Sequence, residues 1–195
     1  PEALTRDGIE VAYPTYWYTP RFGETYYGSW MSRCVRRDVQ RFQKSAPIDA
    51  VLSYWAHPDG EAGLQAARRC GVPSAVIVGG SDVLLLPKRK GRGACVRRVL
   101  SESSAVITVS EGLRSAVIEL GVDPSRVHTI CQGVDRERFH PGDQEAARRR
   151  VGLGASGAKT LVWVGRMVDV KRLDVLLDAC RLLWQAGMRL SLHLV

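Results

Sequence analysis

"LVWVGRMVDVKRLDVLLDACRLLWQAG" (residues 161–187) holds a strand, a turn and a helix in one piece. Leu161 to Val164 read as a strand buried on both faces, because no polar residue alternates with the apolar ones. Gly165 breaks that run. Over 172–187, Leu173, Leu176, Leu177, Cys180, Leu183 and Trp184 recur at helical spacing, with Arg172, Asp174, Asp178, Arg181 and Gln185 opposite. Gly187 stands where a left-handed helix cap is wanted. The free amides at the start of such a helix, and its positive dipole end, attract an anion. Arg166 and Lys171 add two formal charges at the same mouth. A guanidinium matches paired oxygens and an ammonium is a point charge, so together they suit a diphosphate.

The same rhythm extends upstream. "DAVLSYW" (49–55), "SAVIV" (74–78) and "AVITV" (105–109) read as further strands buried on both faces, and "RVHTI" (126–130) as a weaker one. In 111–120, Leu113, Ala116, Val117 and Leu120 form one helical stripe. Gly71 and Gly121 end helices, with Pro73 and Pro124 close behind. Alternating strands and helices predict an α/β fold with parallel sheets covered on both faces. "CQGVDRERFHPGD" (131–143) has the composition of a connector, which places a domain boundary near 140 and divides the chain into 1–140 and 141–195. Two parallel strands and a helix bury too little surface for a finished domain. Both domains are therefore expected to be incomplete, the first lacking its opening strand and the second truncated.

Charge narrows the partners. The chain carries a net +8, and "PKRKGRGACVRR" (87–98) has six basic residues and no acid. Arg33, Arg36, Arg37, Arg41 and Lys44 form a second basic stretch, and Arg148 to Arg150 a third. Such faces attract the phosphates of nucleotides, anionic lipid or nucleic acid. With aromatic residues at 7% and no recognisable nucleic-acid module, nucleic acid is not an expected partner. No apolar run reaches the roughly 18–20 residues that cross a bilayer. The five cysteines are widely spaced, without a CxxC pair, and fit reduced thiols of a cytoplasmic protein. The four histidines show no metal-ligand spacing, so no metal is expected. "GLGASG" (152–157) matches a dinucleotide fingerprint in letters only. It follows a helix and precedes a strand, the reverse of the required order, and reads as an entry loop.

In wound α/β folds, ligands sit outside the carboxyl ends of strands. "SYWAHPDGEAG" (53–63) leaves one such end. There Asp59 is placed to cap the next helix, Gly60 completes a sharp turn, and His57 offers a titratable imidazole. "VIVGGSDVL" (76–84) leaves the next, where Gly79 and Gly80 let backbone approach a ligand and Ser81 and Asp82 can bond sugar hydroxyls. "TVSEGLRSAV" (108–117) opens a helix at Ser110 with Glu111 in its first turn.

Taken as a set, "VSEGLRSAVIELGVDPSRVHTICQGVDRERFHP" and "VGRMVDVKRLDVLLDAC" resemble the middle of the family 4 retaining glycosyltransferases. "PDG…GVPSAVIVGGSDV" is similar to that family's acceptor-side loops. The resemblance implies a GT-B fold, in which two Rossmann-like domains face a cleft. It also implies transfer of a hexose from a nucleotide-diphosphate sugar to a hydroxyl acceptor, polysaccharide or lipid-linked, with no cofactor and no metal. Gly165, Arg166 and Lys171 would hold the donor diphosphate, and His57 would be the catalytic histidine near the transferred sugar. Asp59, Gly60, Gly80, Ser81, Asp82, Ser110 and Glu111 would line the substrate side. A peripheral contact with anionic membrane, on its cytoplasmic face, is expected from the basic helices. The sequence departs from the family pattern at Gln132, at Arg172 in place of Gly, and at Gly79 in place of His or Arg. The family's donor-contacting glutamates should lie beyond Val195, so this stretch alone is expected to be inactive. A GT-B sugar-nucleotide epimerase is the alternative reading, with a nucleic-acid binder behind it.

Overall fold

A computed structural model describes residues 4–153 and 159–195. The chain forms two compact units, Pro1–Gly133 and Val134–Val195. The first opens with a hairpin, β1 (Leu4–Arg6) and β2 (Ile9–Val11), closed by Asp7 and Gly8 at positive φ. That is the Asp-Gly turn whose twist matches an antiparallel pair. There follow α1 (Tyr27–Ser45), β3 (Val51–Tyr54), α2 (Glu61–Cys70), β4 (Ser74–Val78), the single turn α3 (Ser81–Leu84), α4 (Arg92–Glu102), β5 (Ala105–Thr108), α5 (Glu111–Glu119) and β6 (Val127–Thr129).

Strands β3 to β6 pair in that order, all parallel, with Tyr54 opposite Ile77 and Val78 opposite Thr108. Each crossover is made by helices, as parallel pairing requires. Val76, Val78 and Val106 of the sheet pack with Val96, Val99 and Leu100 of α4 and Val117 of α5 in a closed core. Each fully buried valine or leucine contributes about 1.5–3 kcal/mol. Gly71, at φ 71, caps α2 as anticipated.

Two expectations about strand burial are corrected, the first in the stretch 161–164, where Leu161, Val162 and Val164 are exposed rather than covered on both faces. Strands β4 and β5 are covered, but β3 is an edge strand whose Leu52 and Tyr54 are exposed. An apolar run reads the same whether one face or two is covered, so the letters could not separate these cases.

The second unit contains α6 (Gln144–Arg150), β7 (Lys159–Trp163), α7 (Leu173–Gln185) and β8 (Leu190–Leu194), with β7 and β8 parallel. Of the "GLGASG" loop only Gly152 and Leu153 lie within the described residues, and they end α6. On α7 the inward stripe is narrower than the spacing predicts. Cys180 is buried and Leu173, Leu176 and Leu183 are half-buried, whereas Leu177 and Trp184 are exposed. No helix among the described residues is long and apolar enough to cross a membrane.

Candidate active site

Parallel register brings the exits of β3, β4 and β5 to one edge of the sheet. What shapes that edge is Asp82. Its side chain is fully buried, and its carboxylate accepts hydrogen bonds from three backbone amides: Ala56 at 3.0 Å, Gly79 at 3.1 Å and Gly80 at 2.8 Å. Residue 56 leaves β3 and residues 79 and 80 leave β4, so one carboxylate ties two strand-end loops together. Both oxygens are committed to backbone, which corrects the expectation that Asp82 bonds sugar hydroxyls. It positions the loops that would.

The turn after β3 is tighter than expected. Trp55 adopts a positive φ and donates to Ile77 O at 2.8 Å, the His57–Pro58 peptide is cis, and Gly60 N–H returns to Trp55 O at 2.9 Å. Gly60 is buried, and a Cβ there would sit 2.9 Å from Val99 and 3.2 Å from Val76. Its lack of a side chain serves packing rather than ligand approach. Likewise Gly79 faces the Trp55 ring, 2.8 Å from where its Cβ would be. Asp59 does not cap α2, because the turn already carries helical bonding backward through residues 56–60. Its carboxylate reaches solvent at the strand-end edge. Protein crowded around it raises its pKa, and the hydrogen bond from its own backbone amide offsets this only in part.

His57 is not at the surface. The ring is fully buried, its Nε2 3.4 Å from Glu61 Oε2, while Arg98 donates to Glu61 Oε1 at 2.6 Å. Ser29 of α1 and Gln65 of α2 reach the same carboxylate. Glu61 is thus a hub joining α1, α2 and α4. Gly28 makes room for it, since a Cβ at 28 would lie 2.6 Å from Glu61 Cβ. With no accessible ring atom, His57 cannot meet a substrate in this structure, which corrects its reading as the catalytic histidine. It belongs to the scaffold under Asp59.

His57, Glu61 and Cys95 also place one possible metal-ligand atom each within 4.8 Å of one another. The spot already faces the cationic Arg98, and Arg92 reaches His57 O at 3.4 Å. Two guanidiniums so close disfavour a further cation. Burial, foremost, and the Glu61 charge hold the Cys95 thiol protonated.

Burial alone would raise the pKa of Glu61. The close approach of His57, the charge of Arg98 and the Ser29 hydrogen bond together lower it below the usual glutamate value. A carboxylate with a depressed folded pKa stabilises above its unfolded pKa of about 4.3, and that stabilisation is lost as pH falls through the folded value. The thermal advantage of wild type over Glu61→Gln is therefore expected to be full near neutral pH and to shrink steadily in acid. An advantage unchanged in acid would contradict this.

Of the remaining candidates, Ser81 and Glu111 are exposed at the same edge, and Gly80 is half-buried there with φ 127, a conformation glycine adopts readily. Ser110 caps α5, accepting from Leu113 N–H at 3.3 Å. In the second unit, Gly165 N–H bonds Val195 O at 2.9 Å, and Arg166 and Lys171 are exposed beyond the end of β7. Helix α7 begins at Leu173, after Lys171, and Arg172 stands at its cap with φ 47. That left-handed position is one where glycine is unstrained, and it coincides with the departure from the family's glycine. Arg172 Nε and a terminal nitrogen each hold Asp174 at 3.1 Å, which lowers the Asp174 pKa. The helix mouth opens on a depression of ≈ 330 Å³ lined by Met167, Val168, Asp169, Arg172, Leu173 and Asp174. Arg172 is the one cation in that lining and is paired with Asp174, Asp169 adds a further carboxylate, and Arg166 and Lys171 stand outside it. Sequence reasoning placed Arg172 on the solvent side of the helix.

Residues 1–138 match the family described as Glycosyltransferase Family 4. The chain belongs to glycosyltransferase family 4. It is 35% identical over 139 residues to D-inositol 3-phosphate glycosyltransferase 2 of Catenulispora acidiphila, covering 65% of this chain and 31% of that protein. Over 142 residues it is 35% identical to D-inositol 3-phosphate glycosyltransferase of Frankia alni, covering 68% and 34%. This family 4 chain thus spans about a third of the length of these curated relatives. Among solved structures it resembles Anabaena Alr3699/HepE in complex with UDP-glucose, with a TM-score of 0.66 at 18% identity over 83% of this chain and 42% of that one. At that identity the likeness speaks to the fold, α/β with parallel sheets of the GT-B kind. For a family 4 chain, Asp82 and Glu61 are the residues that sequence reasoning misplaced or missed. Only the i,i+4 spacing of His57 and Glu61 was there to be read.

Proposed function

We propose that the protein of this family 4 chain transfers a hexose, with retention of configuration, from a nucleotide-diphosphate sugar to a hydroxyl acceptor that is a polysaccharide or is lipid-linked. The observation that carries this reading is the match of residues 1–138 to the family, over the unit whose strand-end loops Asp82 ties together. Gly165, Arg166 and Lys171 hold the donor diphosphate. Positive charge there stabilises the departing nucleotide diphosphate, an electrostatic contribution of the oxyanion-hole type. Asp59, Ser81 and Glu111 meet the acceptor. The names of the relatives add a phosphorylated inositol as an acceptor class to test, and the UDP-glucose complex supports a uridine donor.

The test is product analysis of the intact protein with labelled nucleotide-hexoses and a panel of hydroxyl acceptors. Labelled glycoside with unchanged anomeric configuration is expected. Conversion of the sugar nucleotide to its epimer, without transfer, would instead establish the epimerase reading. Asp59→Asn should cut acceptor turnover about 10-fold or more through loss of one charged hydrogen bond, with the melting temperature at neutral pH no lower than wild type. A carboxylate whose folded pKa is raised is destabilising once ionised, so the amide relieves the fold while harming the reaction.

A further inference from the structure

Between β2 and α1 runs "YPTYWYTPRFGETYYGSW" (13–30), dense in aromatic residues. Two of its rings turn inward and fix the loop. Tyr27 is buried and donates to Thr19 O at 2.5 Å, and Tyr16 donates to Tyr27 O at 3.1 Å. The others turn outward: Trp17 and Phe22 are 76% and 77% exposed, with Tyr13, Tyr18 and Tyr26 also open to solvent. Tyr26 stacks on Trp30 at 6.3 Å. From that pair a single face continues along α1, since Tyr26, Trp30, Arg33, Arg37 and Lys44 fall at i, i+4, i+7, i+11 and i+18. A groove of ≈ 450 Å³ between loop and helix is lined by Trp17, Tyr18, Thr19, Trp30, Arg33 and Cys34.

Residues 13–45 carry six basic side chains and two acids, Glu24 and Asp38. Both acids are engaged, Glu24 with Arg92 at 3.7 Å and Asp38 with Arg41 at 3.6 Å. Arg33, Arg37 and Lys44 have no acidic partner among the described residues. The face is therefore apolar and aromatic at one end and cationic along the shaft. Tryptophan and tyrosine favour the headgroup level of a bilayer, and each lysine or arginine near an anionic surface gains about 1 kcal/mol. A groove for single-stranded nucleic acid instead interleaves stacking rings with cations. Here the rings, with Arg21 among them, gather in the loop and at the start of α1, and Arg33, Arg37 and Lys44 follow along the shaft.

We propose that this face docks on an anionic lipid bilayer, with the aromatic loop at the headgroup–acyl boundary, a lipid chain in the groove, and α1 lying along the headgroups. The inference deepens the glycosyl-transfer reading and rests on it for its purpose. Helix α1 packs against the turn of residues 56–60 that carries Asp59, so docking would bring the strand-end edge beside a membrane-borne hydroxyl.

The experiment is flotation of the intact protein with vesicles of phosphatidylcholine, alone or mixed with phosphatidylglycerol, at low and high salt. Binding to the mixed vesicles at low salt is expected. Replacing Arg33, Arg37 and Lys44 together with glutamine should weaken it on the order of 100-fold. Arg149, Arg150 and Arg181→Gln, the same charge loss in the second unit, should weaken it less than about 3-fold. Trp17→Ala with Phe22→Ala should weaken it about 10-fold or more even at low salt. Equal loss in both charge variants, equal binding to neutral vesicles, or tighter binding to an oligonucleotide than to vesicles would overturn the proposal. So would a doubled solution mass that the Trp17 and Phe22 substitutions reverse, since the patch would then join copies of this chain. UDP-glucose binding, measured on the same samples, should survive in the vesicle-deficient variants. Its absence in wild type would count against the glycosyltransferase reading, not against docking.

Discussion

Asp82→Ala is expected to lower the melting temperature by roughly 10 °C and to raise the acceptor KM of the intact protein. The substitution strands three backbone N–H groups, that of Ala56 buried and those of Gly79 and Gly80 half-buried. Hydrogen bonds to a charged acceptor contribute about 1.5–3 kcal/mol each, and an orphaned buried donor costs about 1–3 kcal/mol. Against this stands the desolvation of the carboxylate, several kcal/mol that its removal would recover. The balance is a net loss of about 3–5 kcal/mol, which at about 2–4 °C per kcal/mol for a chain of this size gives the predicted shift. Asp82→Asn keeps one acceptor oxygen and should recover part of the loss. A drop of less than about 2 °C for the alanine variant would show that the loops do not depend on the clamp.

Replacing Arg166 and Lys171 together with alanine should weaken binding of a nucleotide-diphosphate sugar by about 100-fold or more. Two charged contacts at about 1.5–3 kcal/mol each correspond to about 10² to 10⁴ in affinity. Both side chains are exposed, so screening by solvent and salt favours the lower end. The melting temperature should not change, because neither cation holds the fold together. Lys171→Arg should restore part of the affinity, Arg166→Lys less, since a lysine cannot reproduce the forked geometry of a guanidinium. An unchanged dissociation constant for the double variant would remove these residues from the donor site.

Much of the fold could be read from the letters, because strand and helix leave local periodicities and caps leave glycines. "SAVIV" (74–78) became β4 with the predicted bounds, and Gly71 capped α2 at positive φ. What failed was anything set by partners distant in sequence. The apolar run of β3 could not reveal that it is an edge strand with Leu52 and Tyr54 exposed. Asp82 looked like a free carboxylate beside two glycines, since its bond to Ala56 N–H joins residues 26 apart. His57 looked like an accessible imidazole at a strand end, yet the turn folds its ring inward onto Glu61. The Arg98 that anchors Glu61 lies 37 residues away. The chemistry of the edge was legible as composition, its division into positioning and contacting residues only as geometry.

The central claim is that the turn after β7 grips the diphosphate of an activated sugar. Calorimetric titration of the intact protein with uridine, UMP, UDP and UDP-glucose tests it most directly. The account predicts that affinity rises by roughly 100-fold or more from uridine to UDP, most of it with the phosphates, and that this gain is lost when Arg166 and Lys171 are alanine. Uridine binding as tightly as UDP, or a phosphate gain untouched by the double substitution, would contradict it.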